Sequence, residues 1–90
     1  MTTSQDPAGR LDVPDAAWRA LTPARLRAEL SVFELHLRFI ALGGYTTLDA
    51  LSQHCSAGVA LAGRKHDLIV LALNERFLEL RSSERLPYTG

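Results

Sequence analysis

Four side chains able to ligate a metal or act as nucleophiles sit near one another in the sequence: His54 beside Cys55, then His66 beside Asp67. His36 could join them through folding. A zinc centre requires three or four ligands, usually with tight local pairs such as Cys-x2-Cys or His-x3-His. His54 and Cys55 are immediate neighbours, and consecutive residues of a helix point about 100° apart, which suits shared ligation poorly. The spacing therefore argues for no metal and no cofactor. On this reading His66 ends an amphipathic seam, His54 and His36 are surface residues, and Cys55 is a small buried hydrophobe. An activated thiol would need a base within reach and a third group to orient it, and one adjacent histidine does not supply that set.

Acid–base chemistry is no better served. On a helix Glu29 and Glu34 diverge, while Glu75 and Glu79 read as a solvated edge at i,i+4. Gly43-Gly44 lacks the G-x-x-x-x-G-K context of a phosphate loop and reads as a helix stop. Arg27, Arg38, Arg64 and Arg76 fall on polar flanks, not on a face that could line an anionic substrate site. With no catalytic residues assembled, the chain is expected not to be an enzyme.

Ninety residues allow one small domain, whose lone core is marginal unless a partner, metal or disulfide assists. Hydrophobic residues make up 47% and charged residues 22%, a globular composition. Ten basic residues balance ten acidic ones, whereas nucleic-acid modules usually carry a positive excess. A single cysteine rules out an intrachain disulfide. With neither a basic-then-apolar leader nor an apolar run near the ~20 residues of a membrane span, the expected location is cytoplasmic, with no membrane partner.

The elements that must position these residues all read as helices. Residues 1–14 carry little to bury and are expected to form a tail. Asp15 could cap a turn that lets Trp18 anchor on the domain. Thr22-Pro23 reads as an N-cap followed by proline at the first helical position, starting a helix that continues to Leu42 and stops at Gly43-Gly44. Thr46 or Thr47 caps a short helix holding Leu48, Leu51 and Cys55, which ends before Ser56-Ala57-Gly58. A third helix is expected from about Arg64 to about Arg81, with Asn74 on its polar flank. Residues 83–90 read as a second tail. The expected fold is all-α: one domain over residues 15–82, built as a hairpin of two long helices with a short connecting helix.

The first long helix has two apolar sides. Leu26, Leu30, Phe33, Leu37 and Ile40 fall on one stripe at alternating four- and three-residue steps. Ala28, Val32, Leu35, Phe39 and Leu42 fall on another, about 180° away. The third helix has a strong seam in Val70, Leu73, Phe77 and Leu80, with Leu68, Leu71 and Leu78 opposite. Leu26, Leu30, Phe33, Leu37, Ile40, Val70, Leu73, Phe77 and Leu80 are the core candidates. Val32, Leu35, Phe39, Leu42, Leu68, Leu71 and Leu78 are the interface candidates. Either stripe of the first helix could face inward, but so short a chain has too little material to cover both. A second copy would do so, giving a dimeric four-helix bundle; a different protein partner could serve as well. The alternative is a helix-turn-helix-like DNA-binding regulator, with Arg64, Lys65, Arg81 and Arg85 as its basic patch. Against it, the third helix would be the reader, yet its middle is Leu68-Ile69-Val70-Leu71-Ala72-Leu73, without the polar side chains that reach base edges.

The stretch from Phe33 to Gly44, FELHLRFIALGG, the stretch from Asp67 to Leu78, DLIVLALNERFL, and Leu86-Pro87-Tyr88 resemble small all-helical actinobacterial proteins of unassigned function associated with regulatory systems. The likeness covers about half of the chain and lies in hydrophobic patterning. It implies a helical regulatory or adaptor role and carries over no functional residue.

Overall fold

The computed structural model describes residues 16–89, which hold four α-helices and no strand. The expected tail of residues 1–14 and the cap at Asp15 lie outside the described residues. A 3-10 turn at Ala17–Ala20 runs directly into α1 (Leu21–Arg27). Then follow α2 (Val32–Ala41), α3 (Leu48–Ala57) and α4 (Gly63–Glu79). Helix α4, the longest, packs against both α1 and α2, while α3 packs against the 3-10 turn, α1 and α2.

The expected first long helix is two helices. The break begins at Glu29, which adopts a left-handed backbone with φ of 60°. Ser31 then turns extended and caps α2: its Oγ accepts the Glu34 N–H at 3.0 Å, and the Glu34 carboxylate accepts the Ser31 N–H at 2.7 Å. This is a capping box, and the flanking Leu30 and Leu35 are both buried in the one core cluster, the arrangement of a hydrophobic staple. Breaking a helix strands backbone carbonyls, and two arginines satisfy them here. Arg25 donates to the Leu30 carbonyl at 2.7 Å and Arg76 to the Ala28 carbonyl at 3.1 Å. Thr22, expected as an N-cap, lies inside α1 and donates its hydroxyl to the Cys55 carbonyl at 3.0 Å.

The other boundaries lie near their expected places. Gly43 takes the left-handed position after α2, with φ of 92°. Thr47 caps α3 by accepting the Ala50 N–H at 3.0 Å. Helix α3 reaches Ala57 before Gly58 turns left-handed, so it includes Ser56 and Ala57. At Gly58 a Cβ would lie only 2.5 Å from the Trp18 ring, so this glycine both ends α3 and lets the indole lie against it.

Burial reverses the roles of the two stripes on α1 and α2. Leu35 and Phe39, expected at an interface, are fully enclosed, and Val32 and Leu42 pack half-buried against the same core. Four expected core residues face outward instead: Leu26 is 63% exposed, Phe33 55%, Leu37 51% and Ile40 48%. The core stripe continues back through Ala28 and Ala24 to Leu21, all buried. The small alanines allow α1 to approach its neighbours closely, and a stripe of leucines there would hold it off. Each large side chain the reversal encloses contributes roughly 1.5–3 kcal/mol. Leu30 is the exception on its stripe, since the break turns it inward.

On α4 the core candidates Val70, Leu73 and Phe77 are buried and Leu80 is half-buried. Of the opposite residues, Leu68 packs half-buried on the core, Leu71 is half-buried and Leu78 is exposed. Asn74 is not on a solvated flank. It is buried, donates to the Leu86 carbonyl at 3.1 Å and accepts the Leu86 N–H at 2.7 Å. This pairing ties the expected C-terminal tail to α4. Thr89 adds a second tie by donating its N–H and hydroxyl to Asp67, and Arg27 pairs with Glu84.

Replacing Ser31 by Ala separates a broken helix from a continuous one by sign. In the broken arrangement Ser31→Ala removes a cap and should lower unfolding stability by about 1 kcal/mol. In an uninterrupted helix alanine would be the better residue and raise it. Urea denaturation of the two proteins reads the sign.

Candidate functional site

Two features of the fold bring together residues with a capacity beyond packing. The first is the outer face of α2. Because Leu35 and Phe39 occupy its inner side, Phe33, Leu37 and Ile40 form a row on the opposite side, about half exposed each. The row is bordered by both signs of charge. Glu34, in the first turn, is held below the usual carboxylate range by its hydrogen bonds from the Ser31 backbone and hydroxyl. Arg38, one turn later, makes a two-pronged pair with Glu79 at 2.9 and 2.7 Å. Arg38 and Arg76 together hold the Glu79 carboxyl down at about 2. Leu37, Glu29, Glu34, Arg38 and Arg76 line an open depression of about 300 Å³ beside the row.

The second feature is a buried histidine pair. The surface position expected for His54 is corrected by its burial: His54 and His66 are each 2% exposed. His54 Nε2 lies 2.9 Å from His66 Nδ1, and the rings meet edge to face. The other nitrogen of His54, Nδ1, lies 2.8 Å from the Val59 carbonyl in the loop joining α3 to α4. The pair therefore links both helices and their connection. Burial, followed by the neighbouring His54, lowers the His66 pKa from 6.5, and Asp67 opposes the shift.

The remaining candidates do not join this pair. Cys55 is buried, and desolvation pushes its thiol up to about 11, so it stays protonated at neutral pH and is a poor nucleophile. Asp67 is engaged by Thr89. His36 donates from Nε2 to the Thr46 carbonyl at 2.8 Å and is half-buried, not a surface residue. Among the described residues no three His, Cys, Asp or Glu side chains converge as a metal site. None of their helices is long and apolar enough to cross a membrane.

The pairing left a trace in the sequence. His54 follows Leu51 by three residues on α3, and His66 precedes Ile69 and Val70 by three and four on α4, so each histidine occupies a core-facing position. That two such positions meet depends on how the 58–62 loop folds back. No family model matches the chain, and no curated protein or solved structure matches it.

A histidine whose folded pKa is depressed takes up its proton first in the unfolded chain. Its contribution to stability is therefore full above pH 6.5 and is lost as pH falls below that, levelling off beneath the folded pKa. The depressed carboxylates Glu34, Glu79 and Glu84 contribute above 4.5 and lose that contribution at lower pH. Acid loss of stability should thus come in two stages. His66→Asn keeps a donor near the Nδ1 position but cannot titrate, so it should flatten the upper stage alone. Urea midpoints between pH 8 and 3 would show this, and an unchanged upper stage in the variant would remove His66 as its source.

Proposed function

We propose that this chain is a non-enzymatic protein-interaction module, with a regulatory or adaptor role, that pairs with a second copy of itself through the outer face of α2. The observation that carries the reading is the row of Phe33, Leu37 and Ile40, three large apolar residues that the fold leaves about half exposed on one side of α2 while Leu35 and Phe39 are buried on the other. Contiguous exposed apolar residues rimmed by charge are characteristic of interaction sites.

A second copy suits this row because the row is complementary to itself. Let two α2 helices pack antiparallel about a twofold axis near Leu37. Phe33 of each copy then meets Ile40 of the other, the two Leu37 side chains meet each other, and Glu34 lies across from Arg38. Such isologous pairing closes after two copies. The α2 helices would form the seam of a helical bundle, with Leu35 and Phe39 inside each copy and not between them.

The magnitude limits the affinity. Three half-exposed side chains fall well short of the about 800 Å² per partner of a standard interface. A dissociation constant in the micromolar range is expected, not an obligate dimer. The DNA-binding alternative gains no support from the packing. Its reading helix would be α4, whose Ile69, Val70, Ala72 and Leu73 are enclosed in the core; of its expected basic patch, Arg64, Arg81 and Arg85 are exposed and Lys65 is half-buried.

Sedimentation equilibrium from low to high micromolar concentration tests the pairing. The wild-type mass should climb from 9.9 kDa toward twice that value. Leu37→Glu should stay at the monomer mass with undiminished helical circular dichroism, and Phe33→Glu should do the same. Leu35→Glu, by contrast, should unfold the protein. A wild-type monomer at several hundred micromolar would overturn the reading.

A further inference from the structure

The carbonyl of Val59 sets the direction of the hydrogen bonds through the histidine pair. A carbonyl oxygen only accepts, so His54 Nδ1 carries a hydrogen and donates it. A neutral imidazole has one N–H, so His54 Nε2 is bare and accepts the hydrogen of His66 Nδ1 across 2.9 Å. One hydrogen thus lies between the two rings.

This contact accommodates one added proton and no more. A proton added to His66 goes to its far nitrogen, Nε2, and leaves the shared hydrogen in place. A proton added to His54 goes to Nε2, and the contact survives by reversal: His54 donates, and His66 keeps its own hydrogen on Nε2. A second proton leaves no such choice. Both rings are then cations with every nitrogen protonated, so two N–H groups face each other across 2.9 Å. Two positive charges also lie in rings whose centres are 5.2 Å apart, on side chains only 2% exposed. Burial penalises each charge and their repulsion adds to the penalty. The two histidines therefore titrate as a unit.

Among the described residues, the elements around the pair bring little to offset that second charge. On α4, Asp67 bears on His66 but is engaged by the N–H and hydroxyl of Thr89, while Lys65 is itself a cation. On α3, Cys55 stays protonated. The 3-10 turn and α1 contribute Arg19, which lies over the Trp18 ring, and Arg25, which donates to the Leu30 carbonyl. Helix α2 turns Glu34 to Ser31, Arg38 to Glu79 and His36 to the Thr46 carbonyl. Leu86 and Pro87, which share a cavity wall with His66, are uncharged.

We propose that the histidine pair is a proton-operated latch on the junction of α3 and α4, which stays shut through the first proton and opens on the second. What it holds is the loop between them: His54 binds the Val59 carbonyl, and the neighbouring Gly58 lies against the Trp18 ring. When the rings part, each solvated imidazole takes its proton at the ordinary histidine value of 6.5. The open form thus binds more protons than the shut one below pH 6.5, so acid favours opening, and above that value the effect vanishes. The opening frees residues 58–62 and uncovers Trp18 while the carboxylates are still ionised. The latch is separate from the outer face of α2 and does not rest on self-association.

Amide hydrogen exchange of the full chain, corrected for the intrinsic effect of pH on exchange, reads the opening. The N–H groups of Gly58 and Val59 are bonded to the His54 and Gln53 carbonyls, and that of buried Leu35 to the Ser31 carbonyl. Between pH 7 and 5, protection at Gly58 and Val59 should fall more than about tenfold, because a proton bound only on opening contributes up to tenfold per pH unit. At pH 5 both should be at least about tenfold less protected than Leu35, the mark of a local opening. His66→Asn replaces one ring by an amide that gives or takes a hydrogen by rotation, so the contact survives protonation of His54, and the fall should stay under about threefold. If that variant does not fold, His54→Gln makes the same substitution from the other side. A wild-type fall below about threefold would overturn the proposal. So would a fall in the folded variant equal to that of the wild type, or equal protection of Gly58, Val59 and Leu35 at pH 5, which would mean that the whole chain unfolds.

Discussion

The fold depends on a broken helix. Between Ala28 and Ser31 the chain leaves the α-helical path, passes through a left-handed Glu29 and restarts behind a capping box. A non-glycine residue in that conformation costs roughly 1–2 kcal/mol, and the break interrupts the helical hydrogen-bond ladder. The offsetting interactions are specific. The Ser31–Glu34 exchange satisfies two N–H groups, Arg25 and Arg76 satisfy two carbonyls, and Leu30 and Leu35 close over the corner from inside. Without the corner, α1 and α2 would form one continuous rod. With it, α1 can lie on α3 and α4 while α2 lies on α3 and α4 at its own angle.

From this corner follows the exposure of α2. Its ten residues place Leu35 and Phe39 against the rest of the fold and are then bounded by Gly43-Gly44. A Cβ at Gly44 would fall 2.4 Å from the Phe39 ring, so the chain passes directly over that side chain as it leaves the helix. The C-terminal segment is held along α4 by Asn74 and Asp67. The half-buried surface it supplies covers a different side of the molecule. The row of Phe33, Leu37 and Ile40 is left out by the way the available chain is used.

The histidine pair is a second consequence of the same economy of material. With α3 laid across the 3-10 turn, α1 and α2, its last turn meets the first turns of α4, and both positions at that junction are histidine. Two imidazoles can be enclosed together because each can give and accept one hydrogen bond. A backbone carbonyl at one end of the chain of bonds imposes a single direction on it.

Much of this was legible from residue order. The helical class, the stop at Gly43-Gly44, a cap at Thr46 or Thr47 and the span of α4 follow from local chemistry, because caps and left-handed glycines act within a few residues. The presence of two opposed apolar stripes was equally plain from spacing. Even the corner had a local signature in Leu30-Ser31-x-x-Glu34-Leu35, masked by an apolar periodicity that runs through it without interruption. Which stripe turns inward was not legible, since periodicity is blind to sign: Leu35 with Phe39 and Leu37 with Ile40 are equally apolar. Tertiary packing decided it by close approach, as Ala24 and Ala28 let α1 settle on its neighbours along one side only. Packing alone also joined His54 to His66 and Asn74 to Leu86, because each contact spans 12 residues and no local rule specifies how the intervening chain returns.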